Sequence, residues 1–411
     1  MAAGPIPSLR RTSVRLGIYC DSGVNGGHEE MLKRLILALV KSPGIVSFHI
    51  LVPTQNKPMS DFASDIAAQH RQVVVTPLPF TTESIHGNPL ALLATSWSTA
   101  AKLRTLNLTK LVIAQGTIVS AITGLLAARL ARTTAVSYIP LIDDAAQAGA
   151  PIAERVKSRV KRALYRLPHQ YITLNDHLRE KLLKQAPDTP AAILENYVDN
   201  RFSRSTLTRE TARSSLGLPQ SGKFICAQIG RIHFQHKRQS FLLAAIEKHP
   251  DAFANSIVLI VGDGPDADKL QQAVQGSEVL SRCVRIIGPQ ADVLPYILAS
   301  DVVVLPSAYE GVPLVMIEAV LAGRPIVASQ VSALGSYLPA ELLFPVHDHD
   351  AFVEKIFSAP AYPLSGLTDS FRVRFSREAF DAQAQEVLLQ PVPQRRVAAH
   401  LEHNTADLGT K

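Results

Sequence analysis

The feature that most constrains this chain is a rhythm. Short runs rich in aliphatic residues alternate with helical segments, and the alternation comes as two series. In the first half the runs fall at 15–19, 45–51, 72–77, 111–114, 134–138 and 170–174. In the second they fall at 223–229, 256–261, 284–287, 302–305 and 325–329. Near-continuous apolar strands separated by helices imply parallel sheets covered on both faces. Two such series predict two doubly wound, Rossmann-like α/β domains. A chain of 411 residues also exceeds the usual size of one core, and 46% hydrophobic residues supply apolar material for two.

The break between the series falls near 196–218. There the apolar pattern lapses into Asp199-Asn200-Arg201-Phe202-Ser203-Arg204-Ser205, a polar helix and the loop 217–222. The expected domains are therefore 1–200 and 201–370. A helical segment is expected over 371–389, and 391–411 is polar, without periodicity, and reads as a frayed tail.

Composition excludes several classes. The stretch 111–128 is uncharged, but Gln115, Gly116, Thr117, Ser120, Thr123 and Gly124 make it a poor spanning helix. It reads as strand, glycine turn and buried helix. Arg10, Arg11 and Arg15 precede no long apolar core, so no signal peptide is expected. Cys20, Cys226 and Cys283 form no CxxC pair and sit in or after apolar runs, as buried reduced thiols would. A cytoplasmic setting follows. The net charge of +7 favours anionic partners, nucleotide phosphates or acidic lipids. No zinc spacing or RNA-binding signature points to nucleic acid.

Ligands of open parallel sheets bind beyond the carboxyl ends of the strands, so the strand-exit loops are where chemistry is expected. Four of them carry motifs. After the first strand comes Gly23-Val24-Asn25-Gly26-Gly27-His28-Glu29, a glycine turn into a helix whose free amides suit phosphate; a plain tight turn reads equally well. After 225–229 come Gly230, Arg231 and, six residues on, Lys237; two cations here can clamp a diphosphate, and a solvated basic loop is the plainer reading. After 257–261 comes Gly262-Asp263-Gly264-Pro265, either a close approach to a ligand or a turn before a helix.

The fourth is the sharpest. The strand 302–305 exits into Glu310-Gly311-Val312-Pro313-Leu314, and Glu318 follows one and a half turns into a helix, flanked by Ile317, Ala319, Val320 and Leu321. A charge there needs a partner. Carboxylates accept well from sugar hydroxyls, and the free N–H groups at the start of a helix suit an anion. Ala322-Gly323-Arg324-Pro325 then stops the helix.

The block 302–329 resembles the donor-binding core of retaining glycosyltransferases of family 4, which have the two-domain GT-B fold. Their Glu, seven residues, Glu pattern is met by Glu310 and Glu318. The Gly-Arg with downstream Lys, the Gly-Asp-Gly-Pro turn and the first glycine loop match in order, and 193–199 resembles the hinge segment. The resemblance spans roughly 16–380 and is strongest from about 227 to 335.

It implies two Rossmann-like domains facing each other across a cleft, with the last helix crossing back onto the first. It implies transfer of a hexose from a UDP- or GDP-sugar, with retention and without metal, to a polysaccharide, oligosaccharide or lipid-linked acceptor. The donor is a substrate, and no separate cofactor is expected. Arg231 and Lys237 would neutralise the donor diphosphate, Glu310 would contact the transferred sugar and Glu318 the ribose. Gly26 and Gly27 would approach the diphosphate, amides of Gly311 to Leu314 would hold sugar and phosphate, and backbone near Ile287 would read the base. Metal independence is what the resemblance implies, although Asp266-Ala267-Asp268 and Asp348-His349-Asp350 have the Asp-x-Asp spacing. A nucleotide-sugar epimerase or a non-catalytic binding protein of the same fold is the alternative.

The sequence departs from the family in three places. No His follows the fifth strand, where Asp143 and Asp144 stand nearby; Arg238 replaces a glycine; and Glu195 and Tyr197 replace the Pro and Gly of the hinge. Finally, 154–166 carries six cations, one anion and an apolar stripe. It is either a domain helix with a solvated basic face or a peripheral contact to the inner face of a membrane.

Overall fold

The computed structural model describes residues 13–393 apart from 25, 86, 143–151 and 332–333. They divide into two compact units. One runs to Leu194 and resumes at Ala384; the other is Glu195–Gln383.

The first unit holds β1 (Val14–Tyr19), β2 (Ile45–Pro53), β3 (Val73–Leu78), β4 (Lys110–Ala114), β5 (Thr134–Tyr138), β6 (Gln170–Thr173) and β7 (Ala191–Ile193). They form one parallel sheet in the order β3-β2-β1-β4-β5-β6-β7. The central strands are buried on both faces, β4 along all of Lys110–Ala114 and β5 from Ala135 to Tyr138, as their largely apolar runs require. Tyr19, Leu51, Leu111, Ile113, Leu125 and Tyr171 belong to one core cluster. Gly124 sits in the helix Ile122–Ala131 where a Cβ would lie 2.4 Å from the Tyr19 ring, so that helix can pack only with glycine there. The uncharged stretch 111–128 is thus strand, turn and buried helix, as its polar residues predicted.

The second unit holds β8 (Phe224–Ile229), β9 (Ser256–Val261), β10 (Val284–Gly288), β11 (Val302–Leu305), β12 (Ile326–Ser329) and β13 (Leu343–Phe344). Their order is β10-β9-β8-β11-β12-β13, again all parallel. In both sheets chain order reverses once, beside the first strand. That switch point, between β1 and β4 and between β8 and β11, is where strand-exit loops diverge and leave a crevice.

Three expectations need correction. The helical segment expected over 371–389 is two helices, Ser365–Arg374 and Arg377–Leu389. Phe375 ends the first because its ring is buried beside Phe371 and Tyr337, and the Ser376 hydroxyl accepts from Ala379 N at 3.1 Å to start the second. The polar helix expected between the series is likewise two short ones, Arg201–Arg204 and Arg209–Ser215. The edge strands β7 and β13 were missed because two or three residues carry no periodicity. The three cysteines are free and buried. Among the described residues no helix is long and apolar enough to cross a membrane.

Candidate functional site

The site is built from loops leaving the second sheet. Ile229 ends β8, and the chain turns through Gly230 at φ +144°. The next two loops are locked to it. Gly230 N donates to Val261 O at 2.9 Å, Ile232 N to Asp263 O at 2.8 Å, and Gly262 N to Gly288 O at 2.9 Å. Gly262 and Gly264 make this interlock possible. A Cβ on Gly262 would lie 2.0 Å from Gly230 O, and one on Gly264 would lie 2.2 Å from Ile232 O. What presses on these two glycines is therefore the neighbouring backbone.

Arg231 is exposed on this platform, and its guanidinium has no ion pair among the described residues. Lys237 follows a tight turn in which its N–H donates to His233 O at 2.8 Å. The buried Gln228 amide donates to Lys237 O at 2.8 Å and so ties this turn back to β8. Arg238, where the resemblance implies a glycine, has φ +54°, in the left-handed region that favours glycine. Its guanidinium lies 4.5 Å over the Phe241 ring and bonds His347 Nδ1 at 3.0 Å.

Across the switch point, the loop after β11 brings Glu310 to Lys237. Lys237 Nζ donates to Glu310 Oε1 at 2.6 Å, with side chains only 16% and 7% exposed. Glu310 Oε2 has no partner among the described residues. His236 braces the same junction. Its ring stacks on Tyr309 at 4.1 Å and 3°, its Nε2 lies 3.0 Å from Tyr309 O, and its carbonyl accepts from Ala308 N at 2.7 Å. Burial holds the His236 imidazole below its ordinary pKa, against the opposing pull of Glu310.

Gly311, Val312 and Pro313 are buried, and Pro313 is the N-cap of the helix Leu314–Leu321. Asn196 fixes this loop, donating from Nδ2 to Val312 O at 2.6 Å. Its hinge segment was legible, but its bond, spanning 116 residues, was not. Glu318 lies on the helix half-buried, a less enclosed place than its apolar neighbours in sequence suggested. The expected stop is present: Gly323 has φ +68° and Arg324 N donates back to Ala319 O at 2.9 Å. Ile287 falls in a register shift of β10, at the sheet edge. The loops thus bring Gly230, Arg231, Lys237 and Glu310 together at the switch point, with Gly262, Gly264 and Ile287 on the flanking exits.

The first unit has its own strand-exit cluster. Gly26 caps the helix Gly27–Leu39, and both glycines are exposed. Gly26 N donates to the Glu29 carboxylate at 2.9 Å. Asp21, buried at the end of β1, accepts from Tyr19 Oη at 2.9 Å and Thr82 Oγ1 at 2.5 Å. Burial nevertheless pushes its carboxyl above the ordinary value. The His28 ring lies 5.1 Å from the ring of Tyr138, the last residue of β5. Asp143 and Asp144 lie outside the described residues, as does the tail from 394.

Residues 223–359 match the family model of the glycosyl transferases group 1. That stretch is similar to the group 1 glycosyl transferases. The matched stretch contains Gly230, Arg231, Lys237, Glu310 and Glu318. The chain is 28% identical over 194 residues to the UDP-Gal:alpha-D-GlcNAc-diphosphoundecaprenol alpha-1,3-galactosyltransferase of Escherichia coli, a match covering 45% of this chain and 49% of that one. It is 31% identical over 155 residues to the D-inositol 3-phosphate glycosyltransferase of Corynebacterium urealyticum, covering 36% and 35%. The chain thus spans about half, or less, of the length of these relatives. Among solved structures, HepE of Anabaena in complex with UDP and glucose superposes with a TM-score of 0.70 at 17% identity, covering 91% of this chain and 99% of that one. WaaG, a glycosyltransferase of lipopolysaccharide biosynthesis, does so with a TM-score of 0.66 at 15% identity, covering 91% and 98%. The shared fold is GT-B.

Proposed function

We propose that the protein is a retaining glycosyltransferase of family 4 that transfers a hexose from a UDP- or GDP-sugar without a metal ion. The observation that carries this reading is the Lys237–Glu310 pair at the β8/β11 switch point, with exposed Arg231 on the same loop after β8 as Lys237. Breaking the sugar–phosphate bond leaves negative charge on the departing diphosphate and positive charge on an oxocarbenium-like carbon. Preorganised charges aimed at both are the strongest catalytic device such a site can hold. Lys237 and Arg231 supply the cations, Lys as a mobile point charge and Arg as a planar fork. Glu310 holds Lys237 in position through Oε1, and its Oε2 accepts from a sugar hydroxyl. The amides from Gly311 to Leu314 and the carboxylate of Glu318 hold the rest of the donor, and Gly26 and Gly27 approach its diphosphate.

The relatives support the donor and acceptor classes. The Escherichia coli enzyme is named for UDP-galactose and a diphosphoundecaprenol-linked acceptor, and HepE is described with UDP and with UDP-glucose. Our reading extends to a sugar or lipid-linked acceptor and to peripheral contact with the inner face of a membrane. Val156 and Val160 are 52% and 55% exposed on the helix Ile152–Tyr165, among exposed Arg155, Lys157, Arg159 and Arg162. Such a face suits anionic headgroups.

The test is a thermal-shift screen against UDP- and GDP-sugars. Selective stabilisation by one donor, beyond its nucleoside diphosphate alone, is expected; no stabilisation by any of them contradicts the reading.

A further inference from the structure

Several buried polar groups of the first unit have no hydrogen-bond partner among the described residues, and two of them stand side by side at the carboxyl end of the sheet. His28 Nε2 and Tyr138 Oη are both enclosed, and neither has a hydrogen-bond partner among the described residues. Their rings face each other at 5.1 Å, tilted by 51°. Tyr138 is fully buried, at 0% exposure. A buried hydroxyl without a partner is costly, and native structures seldom keep one without a use.

Two elements bring the pair together. Tyr138 is the carboxyl-terminal residue of β5, and His28 is the second residue of the helix that leaves β1. Both therefore lie at the ligand-binding edge of the sheet, close to its switch point. Neither group was assigned a role by the motifs of the second unit.

We infer that His28 Nε2 and Tyr138 Oη form a binding site for an uncharged, hydroxyl-bearing ligand group, a sugar hydroxyl. An imidazole nitrogen and a phenol can each donate or accept, the pattern a hydroxyl presents in return. The charge state agrees. Burial holds the His28 imidazole below its ordinary pKa against the pull of Glu29, and burial pushes the Tyr138 phenol well above its own. Both groups are neutral near pH 7, so the pair suits a hydroxyl and not a phosphate. The inference deepens the proposed function. The hydroxyl belongs either to the donor's sugar or to a saccharide acceptor, and the experiment separates the two.

The full chain is titrated with UDP, UDP-glucose, GDP and GDP-mannose by calorimetry. Free glucose and galactose are titrated by saturation-transfer NMR. Wild type is compared with Tyr138→Phe and His28→Phe, which keep an aromatic ring and remove the polar atom. Because Tyr138 Oη has no partner among the described residues, Tyr138→Phe is expected to leave the unliganded melting temperature unchanged or raised. If the hydroxyl comes from the donor, both variants weaken a nucleotide sugar about three- to tenfold and leave its nucleoside diphosphate unchanged. If it comes from an acceptor, they weaken the free hexose and leave all four nucleotides unchanged. The inference is overturned if Tyr138→Phe lowers the melting temperature with no change in any ligand. It is also overturned if nucleoside diphosphate and nucleotide sugar weaken equally, if wild type binds no sugar-bearing probe, or if sugar binding is untouched. A sugar-dependent gain that is sensitive to both variants but accompanied by no transfer would sustain this site and refute the enzymatic reading.

Discussion

Lys237 Nζ donates to Glu310 Oε1 at 2.6 Å, joining the loop after β8 to the loop after β11 across 73 residues of sequence. The pair is mostly enclosed, so each charge depends on the other for solvation lost on folding. Glu310→Gln is expected to destabilise the protein by about 2 kcal/mol, below the roughly 3–5 kcal/mol of a fully enclosed pair. Adding Lys237→Met should recover part of that loss. Chemical denaturation of the single and double variants checks this; additive losses would mean the two side chains are not coupled.

The interlock of the exit loops makes a prediction about backbone. Gly262→Ala places a methyl 2.0 Å from Gly230 O at φ +143°, so it should cost at least about 2–3 kcal/mol. Gly27→Ala meets nothing within 4 Å and sits at the start of a helix, so its stability should be unchanged or slightly raised. If Gly27 serves to let diphosphate approach, that second variant folds normally and binds nucleoside diphosphate more weakly. Melting curves and calorimetry on the same samples separate the two effects.

Asn196 tests whether loop fixation matters for binding. Its Nδ2 bond to Val312 O is worth about 1 kcal/mol, and its Oδ1 is buried without a partner among the described residues. Asn196→Ala should therefore change stability by no more than about 1 kcal/mol while raising KM for the donor more than it lowers kcat. An unchanged KM would show that the Val312 loop holds its shape without Asn196.

Lys110 gives a pH dependence of known sign. Its buried amine donates to Leu388 O at 2.8 Å and to Gln390 O, and burial lowers its pKa from 10.5 to about 8. The unfolded chain therefore holds this proton more tightly than the folded one. Between about pH 8 and 10.5 stability contributed by this residue rises with pH, and below pH 8 its charged form works against folding. Lys110→Met should lose that rise in denaturation midpoints measured across the window; an identical pH profile would refute the assignment.

The membrane reading has a built-in reporter. Trp97 is the one tryptophan of the sequence and is 63% exposed on the helix Pro89–Leu106, in line with exposed Leu90 and Leu93. Anionic vesicles should bind the protein and shift Trp97 emission to the blue. Replacing Arg155, Lys157, Arg159 and Lys161 together by Gln should weaken binding, and unchanged binding would rule out the helix Ile152–Tyr165 as the contact.

Much of this was legible in the sequence, and the reason is physical. Apolar runs marked eleven of the thirteen strands among the described residues, most plainly β9, β11 and β12, which are buried along their whole length. Once the strands are placed, doubly wound order sets β8 beside β11 and predicts that their exit loops meet. Arg231, Lys237 and Glu310 were grouped by their likeness to the family 4 motifs, and the observed strand order places their exit loops side by side. What presses against a glycine is another matter. Gly262 and Gly264 read as room for a ligand, whereas Gly230 O and Ile232 O occupy that side. Nor does any local pattern join His28 to Tyr138 or Asn196 to Val312, because those contacts depend on three-dimensional packing between distant segments.

The central claim is that Lys237 and Arg231 carry the charge of a departing nucleoside diphosphate. It is tested most directly by the rate of nucleoside diphosphate release from UDP- and GDP-sugars by the full chain, in the presence of a chelator. The account predicts release from at least one donor, falling about 100- to 1,000-fold in Lys237→Ala and in Arg231→Ala, with both variants still folded. Release that needs an added metal, or that survives both substitutions, would contradict it.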